Sequence, residues 1–175
     1  SEKYKKSSRK PAVVPATLEE DLSRRDFTVN AMAMKVESVA VLPLRRGGAS
    51  KAEGSDVVID PHNGQKDLEN KILRTPLDPD VTFSDDPLRM MRAVRFAAQL
   101  GFFIEKKTLE SIHLNRDRIK IVSAERVKEE LFKLLACPEP SIGLGLMFHT
   151  HLLDLVLPEV AKLDGVEEIY GHQHK

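Results

Sequence analysis

This chain is poor in specialised side chains: of its 175 residues one is cysteine, none is tryptophan and 5% are aromatic. Cys137 alone cannot close an internal disulfide, and without a second thiol it makes neither a zinc-finger nor a redox pair. That usage fits a reducing cytoplasm. No apolar run approaches the roughly 18 residues that a membrane span needs, and the lysine-rich start lacks the apolar core of a signal peptide, so no membrane partner is expected. Net charge is absent too, 27 basic and 27 acidic side chains cancelling. What is present is ordinary, 41% hydrophobic and 31% charged residues. That suffices for the core of one domain or two small ones and excludes collagen-like, low-complexity and wholly disordered chains. The chain opens on Ser1 and stops at a Gly171-His172-Gln173-His174-Lys175 run, so a piece of a longer protein is expected.

The zero sum hides a segregation. Residues 89–135 carry 11 basic against 6 acidic side chains, residues 1–75 carry 14 against 11, and the stretch 76–88 between them carries none against 4. Two basic blocks around an acidic hinge are compatible with a polyanion groove, because phosphates respond to local rather than total charge. Proteins that bind nothing anionic carry such surfaces as well.

Local patterns divide the chain. Residues 1–16, polar and broken by Pro11 and Pro15, read as an extended arm. Thr17-Leu18-Glu19-Glu20 has capping-box spacing, and Phe27, Val29, Ala31, Met32 and Met34 supply the apolar content of a buried helix or strand. Residues 44–56 resemble a solvated loop tip. Val57-Val58-Ile59 predicts a short strand ended by the Asp60-Pro61-His62-Asn63-Gly64 turn, with Lys71-Ile72-Leu73-Arg74 as its return strand. A Pro/Asp-rich stretch from Pro76 to Pro87 reads as a boundary. Beyond it, Asp86-Pro87 starts a helix that Gly101 ends, and Ser123 caps a second with Val127, Leu131, Leu134 and Leu135 on one face, stopping at Pro138 and Pro140. Ile142 to Phe148 and Leu152 to Leu157 complete a small bundle. The expected fold class is α+β: the last part of a mixed α/β unit, a hinge, and then an all-α part.

Two segments bear chemistry. At about 100° per residue, Arg89, Arg92 and Arg95 fall within a wedge of about 120°, while Met90, Ala93, Val94, Ala97, Ala98 and Leu100 fill the other side. Asp86, one turn before Arg89, adds a carboxylate acceptor beside a guanidinium fork, the mixed edge that a nucleobase presents. Arg92 and Arg95 suit phosphates or RNA backbone. Equally, the arginines form a solvated stripe with Asp86 as a helix cap and an i, i+3 ion pair. Arg24-Arg25-Asp26 suits a triphosphate clamp with a carboxylate for metal or ribose, or an ordinary surface ion cluster. Spacing alone leaves both pairs of readings standing.

Taken together, these segments resemble a known family. Leu18-Glu19-Glu20-Asp21-Leu22-Ser23-Arg24-Arg25-Asp26-Phe27-Thr28-Val29-Asn30-Ala31 closely resembles the RRDFTxNA motif of class II tRNA nucleotidyltransferases and bacterial poly(A) polymerases. Asp60-Pro61-His62-Asn63-Gly64-Gln65-Lys66-Asp67-Leu68 is similar to their DxxGGxxDL motif. The run Asp85-Asp86-Pro87-Leu88-Arg89-Met90-Met91-Arg92-Ala93-Val94-Arg95-Phe96 is similar to EDxxRxxRxxRF. Ser123 to Leu131 resembles the neck helix that follows. The order is right, and the departures are conservative: Gln65 stands for the second glycine and Asp85 for the leading glutamate.

The resemblance implies a partial polymerase-β-type nucleotidyltransferase head over 1–75, an all-α neck over 76–137 and the start of a helical body over 138–175. It implies that Arg25 contacts the incoming nucleotide and that Asp26 lies close to the catalytic centre. Asp86 and Arg89 would pair with the base of CTP or ATP, with Arg92 and Arg95 completing the nucleotide site, and Asp60, Gly64 and Asp67 would belong to a hinge. The implied activity is template-independent nucleotide addition to an RNA 3′ end, most simply CCA addition to tRNA. Poly(A) polymerase and a noncatalytic RNA-binding helical module are the alternatives. The family's chemistry uses a GGxVRD turn and a DxD pair holding two Mg2+ ions. Nothing before Thr17 can be that strand, and Asp78-Pro79-Asp80 reads as a loop pair. The magnesium ligands are therefore expected in a missing N-terminal segment, leaving this piece inactive alone and either self-associating or mobile before residue 75. His149-Thr150-His151 and His172-Gln173-His174 read as ordinary histidines, the rival being the opening of an HD-type metal hydrolase.

Overall fold

The computed structural model describes residues 16–35 and 57–163, together with the backbone pairing of Glu2–Lys3 (β1) with Ala12–Val13 (β2). The proposed loop tip at 44–56 and the pair His172 and His174 lie outside the described residues, as does most of the N-terminal arm.

Thr17 opens α1 (Leu18–Ser23) with the expected reciprocal cap: its hydroxyl accepts from the Glu20 amide, and the Glu20 carboxylate accepts from the Thr17 amide at 2.9 Å. A 3₁₀ turn over Thr28–Asn30 leads into β3 (Ala33–Met34), which pairs antiparallel with β4 (Val58–Ile59). The expected hairpin from β4 back to Lys71–Arg74 is not formed. Asp60 accepts from the amides of Gly64 at 2.7 Å and Gln65 at 2.9 Å, so the turn starts α2 (Gly64–Glu69) instead of reversing the strand. The chain next forms β5 (Ile72–Leu73), which pairs in parallel with β6 (Phe103–Ile104) across the intervening helices.

The Pro76–Pro87 stretch also departs from the expected loop. It contains α3 (Pro79–Asp85), capped by Asp78, whose carboxylate accepts from the Asp80 amide, and favoured by Pro79 in the first turn. This helix packs on α5 (Lys106–Asn115), where Ser111 and Asn115 donate to Asp80. The pattern gave no warning of α5, because two of its three buried residues, Thr108 and Ser111, are polar.

At the centre lies α4 (Leu88–Leu100), which begins and ends as predicted, with Gly101 at φ 65 in the left-handed conformation that releases the chain. It buries Met90, Met91, Ala93, Val94, Ala97 and Ala98 against α6 (Ala124–Leu135) and α7 (Pro140–His149). The short helices α8 (Leu153–Val156) and α9 (Pro158–Ala161) follow. One apolar cluster runs from Phe27 and Leu73 through α4 to Leu152 and Leu153. The Arg24–Asp26 turn is thereby held against the start of α4. Among the described residues no helix is long and apolar enough to cross a membrane.

Candidate nucleotide site

A cleft of about 500 Å³ opens between the end of α1, the start of α4 and the first turn of α6. Five arginines (Arg24, Arg25, Arg89, Arg92 and Arg126) and two aspartates (Asp26 and Asp86) line it, so it is a cationic basin with two fixed acceptors.

Asp86 follows α3 in extended backbone. One of its carboxylate oxygens accepts from the Leu88 amide at 3.2 Å and thereby steadies the start of α4; the other lies 3.3 Å from Arg126 Nη2. Arg89 is gripped by main chain, its Nη2 donating to the Arg24 carbonyl at 2.6 Å and its Nη1 reaching the Thr82 carbonyl at 3.5 Å. The two side chains thus take different partners, and the contemplated i, i+3 pair gives way to two separately held groups on one wall. A carboxylate acceptor and a guanidinium donor face the same space. Arg25 lines the same cleft, about half exposed and paired with Asp21 at 3.0 Å.

Asp26 lines the cleft but is 7% exposed and fully engaged. Its Oδ1 accepts from the Phe27 amide and from Asn30, and its Oδ2 accepts two hydrogen bonds from Arg92. A carboxylate with this many donors orients Arg92 and the turn rather than presenting a free oxygen.

Arg95, expected to complete the nucleotide site, does not line this cleft. At 8% exposure its guanidinium lies 4.1 Å from the Phe96 ring centre and donates to Glu130 at 2.7 Å and to Gln99 at 2.7 Å. Burial works against the charge of Glu130, but hydrogen bonds from Lys133 and Arg95 outweigh it and hold that carboxyl below the usual carboxylate range. The pair fastens α4 to α6.

Behind the cleft, the Asp60–Leu68 segment acts as a support. A Cβ at Gly64 would stand 2.2 Å from the Thr28 carbonyl oxygen, so only glycine lets α2 approach the arginine-bearing segment this closely. Asp67, 5% exposed, accepts from the Thr28 hydroxyl at 2.7 Å and takes a two-point contact from Arg74. Sequence reasoning gave Arg126 no role although it stood inside the quoted neck-helix segment; the available signal was a lone arginine in the first turn after Ser123. Among the described residues no group of three or more His, Cys, Asp or Glu is arranged to hold a metal ion. Asp26 is fully engaged, which leaves Asp86 as a single carboxylate among five arginines, so these residues do not fit a magnesium site.

Two family models match the chain: the poly A polymerase head domain over residues 1–74, and the probable RNA and SrmB-binding site of polymerase A over residues 101–163. A CCA-adding enzyme of Lactobacillus helveticus is 37% identical over 87% of this chain and 34% of its own length. The crystal structure of the Bacillus stearothermophilus CCA-adding enzyme in complex with CTP matches 78% of this chain and 30% of its own, at 37% identity and a TM-score of 0.65. The Thermotoga maritima CCA-adding enzyme complexed with tRNA matches 81% and 31%, at 27% identity and a TM-score of 0.67. The chain belongs to the class II CCA-adding enzyme and poly(A) polymerase family. It spans about a third of the length of the curated relatives it matches. The α+β architecture, part head and part neck, is that of the family.

Proposed function

We propose that this chain forms the base-selecting part of an RNA nucleotidyltransferase that adds C and A to tRNA 3′ ends, acting in the cytoplasm, where Cys137 stays reduced. The observation that carries this reading is that Asp86 and Arg89 share one cleft with Arg24, Arg25 and Arg92.

The chemistry follows from the donors and acceptors. Cytosine and adenine both present an exocyclic amino group next to a ring nitrogen that accepts. The Asp86 carboxylate accepts from the amino group, and the Arg89 guanidinium donates to the ring nitrogen. Uracil and guanine put a carbonyl oxygen where the amino group would be, against the aspartate, and are disfavoured. Arg24, Arg25 and Arg92 draw the triphosphate, with Arg92 held at its station by Asp26. Magnesium, expected elsewhere in the full protein, supplies charge stabilisation at the phosphates; none of the residues described here is assigned to it.

Arg89→Ala in the full-length protein tests this. Loss of one of the two base contacts, a hydrogen bond from a charged donor, predicts a fall in both CTP and ATP incorporation of about 5- to 150-fold, from roughly 1–3 kcal/mol. Unchanged incorporation of both nucleotides removes the reading. ATP incorporation without CTP makes the protein a poly(A) polymerase, and salt-dependent RNA binding with no nucleotide binding makes this part an RNA-binding module.

A further inference from the structure

We propose that Arg74 is a positioning residue that sets the spacing between the two walls of the nucleotide cleft. The proposal rests on the nucleotide reading of that cleft.

Arg74 lies at the junction of the two regions, directly after β5, and its one guanidinium joins carboxylates from both. Its Nε and Nη2 meet the two oxygens of buried Asp67 at 3.1 and 3.3 Å, and its Nη1 meets Glu105 at 2.9 Å. Each of those carboxylates leads to one wall. Asp67 also accepts from the Thr28 hydroxyl, and the Thr28 amide donates to the Arg74 carbonyl at 2.8 Å, so the turn carrying Arg24, Arg25 and Asp26 is referenced to Arg74 twice. Glu105 precedes α5 and is steadied by the Thr108 hydroxyl at 2.9 Å. Further along, Ser111 and Asn115 of the same helix hold Asp80 in α3, the helix that delivers Asp86.

The cleft itself lacks such a brace. Its walls are joined by Arg92 to Asp26 and by Arg89 to the Arg24 carbonyl, and both arginines are the groups a nucleotide would engage. A spacing that must persist while those contacts rearrange needs ties outside the cleft: the apolar cluster around Phe27 is one, and Arg74 is the polar one that fixes direction by joining carboxylates from both sides. Lysine cannot replace it, because one ammonium lacks the planar fork that meets two carboxylates at once.

The test uses the full-length protein: CTP and ATP dissociation constants for wild type, Arg74→Ala, Arg74→Lys, Glu105→Gln, Arg89→Ala and the Arg74→Ala/Arg89→Ala double variant, each below its melting temperature. Misplacement of one wall predicts that Arg74→Ala weakens both nucleotides about 10-fold, with Arg74→Lys no better and Glu105→Gln weaker than wild type by about 3-fold. It also predicts that the Arg74 and Arg89 effects are non-additive, although the two guanidiniums share no partner. Variants that melt earlier yet bind both nucleotides as wild type does, or effects that simply add, overturn the proposal and leave the nucleotide reading intact. Should Arg74→Ala fail to fold, Glu105→Gln decides, since it leaves the Asp67 contact in place. A wild type that binds neither CTP nor ATP removes the nucleotide reading, and this proposal with it.

Discussion

Asp86 in the cleft and Asp67 in the support behind it are the same kind of group, each met by an arginine, arranged to opposite ends. Behind the cleft, Asp67 is buried, takes three donors and sits where Gly64 permits backbone to touch backbone. In the cleft, Asp86 meets Arg126 through one long contact between side chains that are 33% and 54% exposed. A buried carboxylate that loses a partner is left charged and unsatisfied, whereas an exposed one is taken up by water. Charged residues of the first kind hold a fold; those of the second kind are available to a ligand.

Gly64→Ala is the hardest test of this contrast. The added methyl meets the Thr28 carbonyl, which cannot turn aside as a side chain would, so a loss of about 3 kcal/mol is expected by urea unfolding. A loss below about 1 kcal/mol would show that the support yields easily. Next comes the Arg95–Glu130 tie between α4 and α6, where Glu130→Gln removes a charge that two cations hold, at a cost of about 2 kcal/mol at neutral pH. The sign of its pH dependence is fixed: a carboxyl held below its ordinary range in the folded state stabilises above the unfolded value and loses that contribution as pH falls through the folded one. The gap between wild type and Glu130→Gln should therefore close as pH is lowered from about 7 to below about 4, and a gap that widens on acidification contradicts the assignment. Smallest is Arg126→Ala, expected to change stability by less than about 1 kcal/mol because the pair with Asp86 is solvated. A large loss there would move Asp86 from the ligand-available group to the structural one.

Much of this arrangement was legible in the sequence where the physics is local. The Thr17 cap, the limits of α4 and the apolar side of that helix depend on neighbours within one or two turns, and the pattern carried them except at Leu100, which is 44% exposed at the helix end. The shared placement of Asp86, Arg89 and Arg92 likewise follows from helix spacing, with Arg25 added through the motif resemblance. What failed depended on distant partners. The wheel gives Arg95 a direction but says nothing of Glu130, 35 residues away, which draws it into the packed interface. The β4 return strand was misassigned because Asp60 captures the two amides that begin α2, and β5 is left to find β6 beyond α4. Arg126 comes to the cleft only through the packing of α6 on α4.

Arg89 is steadied by the carbonyls of residues 24 and 82, not by their side chains. Every amino acid carries the same carbonyl, so exchanging the side chain at either position does not by itself dissolve the grip. A screen of substitutions at 24 and 82 will therefore under-report how tightly this arginine is held, whereas bending the main chain there, as a proline at 83 or 25 would, reaches it directly.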